Sequence, residues 1–422
     1  MYRVRRAHHI GYTHRDPMDL QTTRPPNLRQ LRLFKLLHEG ASIRAAGRQL
    51  SISQPAATLR LASLEKYYQR TLFERRPDGL AATRHADALY ARIRAAFGLI
   101  DEAVAVARGA RMPLASLSTT LNRLTVSQLL SLVSIDRYEG FSNAAGHSGL
   151  NKSSIHRSLA ELEAALGIEL VHREGARATT TPQGKLVARL FNLALGEIRL
   201  GEAAVHEVDG VLAAPINVGA ARIVSQEVLP RAILRCSREM PSVRFEVRLE
   251  DHETLLHELR SGALDLVFTT FRPLDSPDLV VEQLFESNLR IICRAGHPLA
   301  GLGAVSAAHL ARFPWILGMD PASSAARHWR DLFEREDLAP PVPWVRTSLP
   351  AMVQALLRET DGLALEIRSV RHAERGTCDL VALSKSIPDS ERHVWLAYRR
   401  HWQSTKAHEA FLEAVRAIAA KV

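Results

Sequence analysis

Residues 61–83 read LASLEKYYQRTLFERRPDGLAAT, and residues 159–181 read LAELEAALGIELVHREGARATTT. A shift of 98 residues aligns the two stretches without a gap. The alignment extends towards the amino terminus, where Gln30-Leu31 falls on Gln128-Leu129. A segment that recurs at a fixed spacing is the signature of a structural unit that occurs more than once. The sequence therefore predicts two copies of one module.

The first copy has the pattern of three helices followed by a β-hairpin. Residues 27–38 repeat apolar side chains at helical spacing, Ser42 can cap a second helix over 43–50, and Ser53 can cap a third. The sequence Pro77-Asp78-Gly79 between two apolar stretches predicts a tight turn. This order is typical of a DNA-binding winged helix-turn-helix, which we place at 27–84 and again at 123–182.

Each predicted module is followed by a long helix with one apolar stripe, over residues 85–110 and 183–210. The stripes consist of Leu89, Ile93, Phe97, Ile100 and Val104, and of Val187, Leu190, Phe191, Ala194, Ile198 and Val205. A stripe that long needs a helical partner. Two alternatives stay open: the two stripes pair with each other in one chain, or each pairs with a second chain.

The positive charge of the chain is concentrated near its amino end. The net charge is +10, and residues 27–112 hold 15 basic against 7 acidic side chains. Residues 1–26, which we predict to be a flexible basic arm, add +3, whereas 113–213 sum to −1 and 214–422 to zero. Localised positive charge indicates a surface that binds a polyanion.

Beyond Pro215 the pattern changes to alternating strands and helices. The βαβαβ order predicts a parallel sheet. We expect a two-lobed α/β domain over 214–422, with lobe I at 214–287 and 385–422 and lobe II at 288–384. Such a domain can hold a ligand in the cleft between its lobes.

Several classes of protein are disfavoured. The sequence has no apolar run of 18 residues, no secretory signal and three widely separated cysteines, so we expect a cytoplasmic protein without a membrane partner. It also has no phosphate loop, no nucleophile elbow and no zinc motif. We therefore expect no enzyme, no metal and no cofactor.

These motifs together resemble the LysR-type transcriptional regulators. The resemblance rests on Ser53-Gln-Pro-Ala56, Leu72-Phe-Glu-Arg75, Pro241-Ser-Val-Arg-Phe245 and Gly262-Ala-Leu-Asp-Leu266, and it covers residues 27–110 and about 214–420. It implies a DNA-binding regulator with a periplasmic-binding-protein-like effector domain and homo-oligomers, dimers or tetramers, formed through the linker helices. The second module departs from the family, because Asn151-Lys-Ser-Ser154 replaces the Ser-Gln-Pro-Ala opening.

The third helix of such a module reads base edges in the major groove of double-stranded DNA. The predicted DNA contacts of the first module lie on this helix, on the wing and on the first helix: Ser53, Gln54, Thr58, Arg60, Arg75, Arg76, Arg29 and Arg32. The predicted contacts of the second module are Lys152, His156 and Arg157. Because acidic residues surround those three, the second module is either a weaker DNA contact or a dimerisation module.

The resemblance also places the effector site in the interlobe cleft. Its expected lining residues are Ala220, Arg222, Ser225, Thr269, Thr270, Thr347 and Ser348. Arg222 could clamp a carboxylate, so we expect a small-molecule effector with that group. The alternative function is a cytoplasmic solute-binding sensor that does not bind DNA.

Overall fold

The repeat in the sequence is also a repeat in the structure. A computed structural model of the chain describes residues 26–77, 79–108, 121–174, 177–220, 228–272, 276–318, 324–347, 349–369 and 379–421. The predicted basic arm, apart from Pro26, lies outside these residues.

The first module has three helices, a two-stranded wing and a long linker helix. Its elements are α1 (Leu28–His38), α2 (Ile43–Gln49), α3 (Gln54–Tyr68), β1 (Phe73–Arg76), β2 (Gly79–Ala82) and α4 (Arg84–Arg108). Ser42 and Ser53 cap α2 and α3, as the sequence predicts, and Asn27, for which no cap was predicted, caps α1. Each side chain accepts a hydrogen bond from a backbone N–H in the following turn. Such caps satisfy donors that have no partner inside the helix.

The second module repeats this order. Its elements are α5 (Val126–Tyr138), α6 (Phe141–Ser148), α7 (Lys152–Leu166), β3 (Val171–Glu174), β4 (Arg177–Thr180) and α8 (Pro182–Val208). A partly buried contact explains why one glutamate recurs in the repeat. Glu65 accepts hydrogen bonds from the backbone N–H groups of Leu72 and Phe73, at 2.8 and 3.2 Å. Glu163 does the same for Leu170 and Val171, at 3.0 and 3.2 Å, so each carboxylate ties a third helix to its wing.

The two linker helices, α4 and α8, pack against each other along their length within one chain. Gln183 at the start of α8 donates to the carbonyls of Val106 and Ala107 near the end of α4, at 2.8 and 3.0 Å. Towards the other end, Arg92 of α4 pairs with Glu197 of α8 at 3.0 Å. The helices are therefore antiparallel, and together they cover the apolar stripes predicted from the sequence.

This packing decides between the two alternatives for the stripes. The side chains of Leu89, Ile93 and Phe97 are at most 5% exposed in the single chain, and so are Phe191 and Ile198. They already have their partners. Oligomerisation through these same stripes, the other alternative, would require the α4–α8 interface to open.

The carboxyl-terminal half forms one mixed sheet of nine strands flanked by helices. Its elements are β5 (Ile216–Ala220), α9 (Val228–Glu239), β6 (Phe245–Leu249), α10 (His252–Ser261), β7 (Leu266–Thr269), β8 (Leu279–Arg294), α11 (Ala307–Leu310), β9 (Trp315–Leu317), α12 (Ser324–Glu334), β10 (Val345–Arg346), α13 (Pro350–Glu359), β11 (Leu363–Ser369), β12 (Leu380–Ser386), β13 (Arg392–Arg399) and α14 (Lys406–Ala419). The strand order is β10-β9-β11-β8-β13-β7-β5-β6, with β12 paired to β8. β5 is parallel to both β6 and β7, as the βαβαβ pattern predicts.

Strand β8 joins the two lobes. Its first half, up to Ser287, pairs with β13, and its second half pairs with β11. Separate apolar cores lie on the two sides of this change of partner, one around Phe411 and one around Trp315. The lobes are therefore built on one continuous strand, with β13 carrying the chain back into lobe I.

Lobe I docks on the linker pair. Asn192 of α8 donates to the carbonyl of Ser261 at 2.6 Å, at the end of α10. Arg92 of α4 donates to the carbonyls of Gln403 and Ser404, at 2.6 and 2.9 Å, just before α14. Both linker helices thus contact the effector domain. None of the helices among the described residues is long and apolar enough to cross a membrane.

We predict that widening the α4–α8 interface destabilises the protein. A Cβ atom at Gly201 of α8 would lie 2.8 Å from the buried Leu89. Gly201→Leu should therefore cost about 1–3 kcal/mol of unfolding free energy through overpacking. Thermal or urea unfolding measures it. The matched control is Gly98→Leu, because Gly98 is exposed on α4 and a Cβ there meets nothing within 4 Å. The control should be neutral or stabilising; equal losses in both variants would contradict the prediction.

Candidate nucleic-acid interface and effector site

The third helix of the first module, α3, presents an uncovered face to solvent. Ser53 and Gln54 are exposed, and Thr58 and Arg60 are partly exposed. Ser53 is the N-cap, accepting from the N–H of Ala56 at 3.4 Å, and the Thr58 hydroxyl donates to the carbonyl of Gln54 at 3.1 Å. Of the four predicted contacts, only Gln54 has an exposed side chain with no intrahelical hydrogen bond among those described, so it is the best placed to meet a base edge.

The structure adds a residue that the sequence interpretation missed. Leu59 on α3 is 73% exposed, although it is a large apolar side chain. The buried residues of this helix are Ala57, Leu61, Leu64 and Tyr68. The spacing of these buried residues could have identified Leu59. Leu59 follows the buried Ala57 by two residues, a rotation of about 200° around the helix, and so it lies on the opposite, exposed face. Leu59 therefore lies among the predicted DNA-contacting side chains.

The wing of the first module carries two exposed arginines. Arg75 and Arg76 are exposed on β1, and Arg76 lies 3.7 Å from Glu74 in a solvent-exposed pair. Such pairs contribute little energy and separate easily. Arg29 is also exposed, in the first turn of α1. These three guanidinium groups are free to meet phosphates.

The prediction that Arg32 contacts DNA is wrong. Arg32 is 7% exposed, its guanidinium lies 5.1 Å from the ring centre of Phe97, and it donates to Asn122 at 3.2 Å. Burial lowers the pKa of Arg32 to about 10, against the opposing charge of Asp101. Its position on α1 turns it towards α4, so it joins the module to the linker helix.

The third helix of the second module, α7, is exposed but less positive. Lys152, His156 and Arg157 are all exposed. Partial burial, then the charges of Lys152 and Arg173, lower the pKa of His156, whose ring stacks on Phe141 at 3.6 Å. The imidazole is therefore largely neutral at pH 7. Arg157, 78% exposed, lies 3.9 Å from Glu161, which leaves Lys152 as the least compensated cation.

The expected effector residues lie at carboxyl ends of strands. Ala220 ends β5 beside Phe268 of β7, and Thr269 and Thr270 follow Phe268. Thr347 follows β10, with its N–H bound to the carbonyl of Leu317 at the end of β9, at 3.1 Å. Ligands of open α/β sheets bind at this edge.

Not all of these side chains can line a cleft directly. Thr269 is fully buried, and its hydroxyl is 2.9 Å from the His252 ring and accepts from the N–H of Phe271 at 3.1 Å. Ala220 is fully buried as well. Thr270 and Thr347 are partly exposed. The other expected residues, Arg222, Ser225 and Ser348, lie outside the described residues.

A buried carboxylate, missed in the sequence, anchors lobe I. The Oδ2 of Asp265 accepts from the N–H and the side-chain amide of Asn217, at 2.8 and 3.0 Å, and lies 3.5 Å from His408. Its other oxygen lies 3.8 Å from Arg399. Burial alone would raise the pKa of Asp265, but His408, Arg399 and the Asn217 amide together lower it. This network links β5, β7, β13 and α14 beneath the linker pair.

Two comparisons concern the sequence. Residues 209–420 match the LysR substrate binding domain, and residues 28–87 and again 126–185 match the bacterial regulatory helix-turn-helix protein, lysR family. The chain is 28% identical over 396 residues to the HTH-type transcriptional regulator GalR of Pseudomonas putida, covering 93% of this chain and 97% of that protein. It is 24% identical over 268 residues to GbpR of Azospirillum brasilense, covering 62% and 78%.

A third comparison concerns solved structures. A full-length OxyR variant from Pseudomonas aeruginosa is 19% identical, with a TM-score of 0.49, and covers 70% of this chain and 98% of its own. ArgP from Mycobacterium tuberculosis is 19% identical, with a TM-score of 0.48, covering 69% and 96%.

We predict a pH-dependent role for Asp265. A carboxylate whose pKa is lower in the folded than in the unfolded state stabilises the fold above its unfolded pKa, about 3.9, and that stabilisation is lost as the pH falls. Asp265→Asn should therefore cost roughly 1–3 kcal/mol at pH 7, and the gap from wild type should shrink towards pH 3. Urea unfolding at several pH values measures this. Asp337→Asn, at an exposed site, is the control; a gap for Asp265→Asn that does not change with pH would count against the assignment.

Proposed function

Since the chain belongs to the LysR family of bacterial transcriptional regulators, we propose that its first winged helix is the main DNA reader and its second a weaker DNA contact. The chain is a DNA-binding transcriptional regulator with a carboxyl-terminal effector-binding domain. The family matches favour this function over a solute-binding sensor without DNA binding. We assign the chain no catalytic role, and we propose that it acts in the cytoplasm, where the chromosome lies.

The charge of the first module carries the proposal. Binding to duplex DNA strengthens with each phosphate that a lysine or arginine neutralises. Residues 27–112 have a net charge of +8, and Arg29, Arg75 and Arg76 are exposed there. The exposed Gln54 can form a paired hydrogen bond with adenine. Thr58 lies about one turn further along α3, and Arg60 lies nearly two turns further. We add Leu59, whose side chain can contact the methyl group of thymine.

The second module supports a weaker contact. Its exposed cations on α7 are Lys152 and Arg157, and the latter is partly compensated by Glu161. Arg173 of the second wing is held at 2.6 Å by Glu163, whereas Arg75, at the matching position of the first wing, has no such pair among the described contacts. Fewer free cations mean a smaller salt-dependent binding energy.

The two helices that we propose to contact DNA, α3 and α7, belong to one chain but begin with different residues. The exposed residues at the start of α3 are Ser53-Gln54-Pro55, and those at the start of α7 are Asn151-Lys152-Ser153. Side chains at this place contact base edges. We infer that one chain recognises two different half-sites, so that its operator is not a simple palindrome.

We propose that the domain boundaries of the chain are those predicted from the sequence, with linker segments at 85–110 and 183–210.

Regulators of this family form oligomers. Because the α4 and α8 stripes are buried within the chain, we propose that further assembly uses other surfaces.

The effector is a small molecule, and we propose that it binds at the interlobe edge near Thr270, Thr347, Arg222, Ser225 and Ser348, with its carboxylate on Arg222.

The test of the main function is the salt dependence of DNA binding. On a duplex from the protein's own promoter region, the slope of log affinity against log salt should become shallower by about 2 in the double variant Arg75→Ala/Arg76→Ala, because each phosphate contact contributes about 0.9. Fluorescence anisotropy across a salt series gives the slope. The double variant Arg235→Ala/Arg238→Ala, on α9 of the effector domain, should keep the wild-type slope. If the folded wild-type protein bound no duplex in dilute buffer, the proposed DNA-binding function would be wrong.

The test of the second reader is the double variant Lys152→Ala/Arg157→Ala. It should weaken binding and reduce the slope by at most about 2, with protection lost over one half-site only in a footprint. The variant Gln54→Ala should affect the other half-site. If Lys152→Ala/Arg157→Ala changes neither slope nor footprint, the second module does not contact DNA, and a role in dimerisation takes its place.

A further inference from the structure

A cavity of about 400 Å³ lies where lobe I meets the paired linker helices. Leu99 of α4 and Leu190, Leu193 and Leu200 of α8 give it apolar walls, and Pro215 and Trp402 of the effector domain complete them. A volume of this size is in the range that holds small ligands. None of the described residues expected at the interlobe cleft lines it, so it is a separate site.

Most charged groups around the cavity already have partners. Glu197 is paired with Arg92 at 3.0 Å. Asp265 belongs to the buried network described above. Asp278 pairs with Arg260 at 3.0 Å and lies 3.7 Å from Arg189. These pairs fix the walls and leave little charge for a ligand.

Among the arginines that line the cavity, Arg199 is the exception. It lines the cavity from α8, it is solvent-exposed, and among the described residues it has no hydrogen-bond or ion-pair partner. Desolvation by the surrounding protein lowers the pKa of Arg199, with Asp265 opposing the shift and Arg137 adding to it. A lone guanidinium in such a setting is stabilised by an anion that hydrogen-bonds to it.

The carboxylate of Glu102 does not compete for this place. Glu102 also lines the cavity, from α4. The Gln183–Val106 and Arg92–Glu197 contacts align the antiparallel helices and set Glu102 level with about residue 188. Arg199 lies about 11 residues further along α8, which is roughly 16 Å at 1.5 Å per residue. The two groups are therefore at opposite ends of the cavity.

We propose that this cavity binds a small organic anion, with its carboxylate on Arg199 and its apolar body between the leucines of α4 and α8 and Trp402 of lobe I. The ligand would contact both linker helices and the effector domain at once. The consequence for regulation rests on the proposed function: because α4 follows directly from the first wing, occupancy of this junction would bias how the DNA-binding modules sit relative to lobe I.

The experiment uses the full chain and 4-(trifluoromethyl)benzoate as the probe, followed by fluorine NMR. Wild type should bind it at millimolar concentration or below. Arg199→Ala should weaken binding about tenfold or more, since a charged hydrogen bond is lost, whereas Arg199→Lys, which keeps the charge, should lose less. Arg94→Ala, which removes an exposed arginine of α4, is the matched control and should keep the wild-type affinity.

A second variant fills the cavity without replacing Arg199. Gly196 lines it, and the nearest atom to a Cβ built there is the Arg199 guanidinium at 3.8 Å. Gly196→Phe should abolish the fluorine resonance of the probe bound in the cavity, whereas Gly98→Phe, at the exposed α4 position, should not. If the probe also occupies the interlobe cleft, a second resonance survives in Gly196→Phe. The site is overturned if wild type binds no probe, or if Arg199→Ala or Gly196→Phe keeps every bound resonance at wild-type affinity. DNA binding is measured in a separate experiment. If the protein did not bind DNA, the proposed function would be wrong, but the evidence for a ligand site in this cavity would be unaffected.

Discussion

The antiparallel contact between α4 and α8 is the constraint on which the rest of the structure depends. It joins two helix-turn-helix modules that are far apart in sequence, and it buries the stripes that neither helix could leave in water. The same pair is the platform on which lobe I docks, through Arg92 and Asn192. If this interface were lost, the two readers would no longer have a fixed spacing, and the effector domain would lose its support.

Much of this fold could be predicted because it is encoded locally. The caps at Ser42 and Ser53 and the repeat of Glu65 as Glu163 are signals within a few residues of the structure that they form. The βαβ pattern predicted the parallel strands for the same reason. The comparisons with known families then confirmed the fold class and the regulatory function.

The rest depended on packing between distant segments. A basic residue on the first helix could equally face DNA or the linker helix, and only the neighbouring Phe97 decides that Arg32 faces inward. The stripes required partners, but their sequence could not say whether those partners came from the same chain. Arg199 carries no motif at all, and the motif that contains Asp265 says nothing of the groups that surround this carboxylate. Their environments arise where α8, β5 and β13 meet, across nearly 200 residues of sequence.

The covalent link between the two helix-turn-helix modules bears on how occupancy of DNA depends on the amount of protein. Two modules on separate chains must first find each other, so that a pair becomes rare when the protein is scarce. If the second module contacts DNA as we propose, it has a high effective concentration near its half-site as soon as the first is bound, and this concentration does not fall as the protein is diluted. A few molecules per cell could therefore engage both halves of an operator.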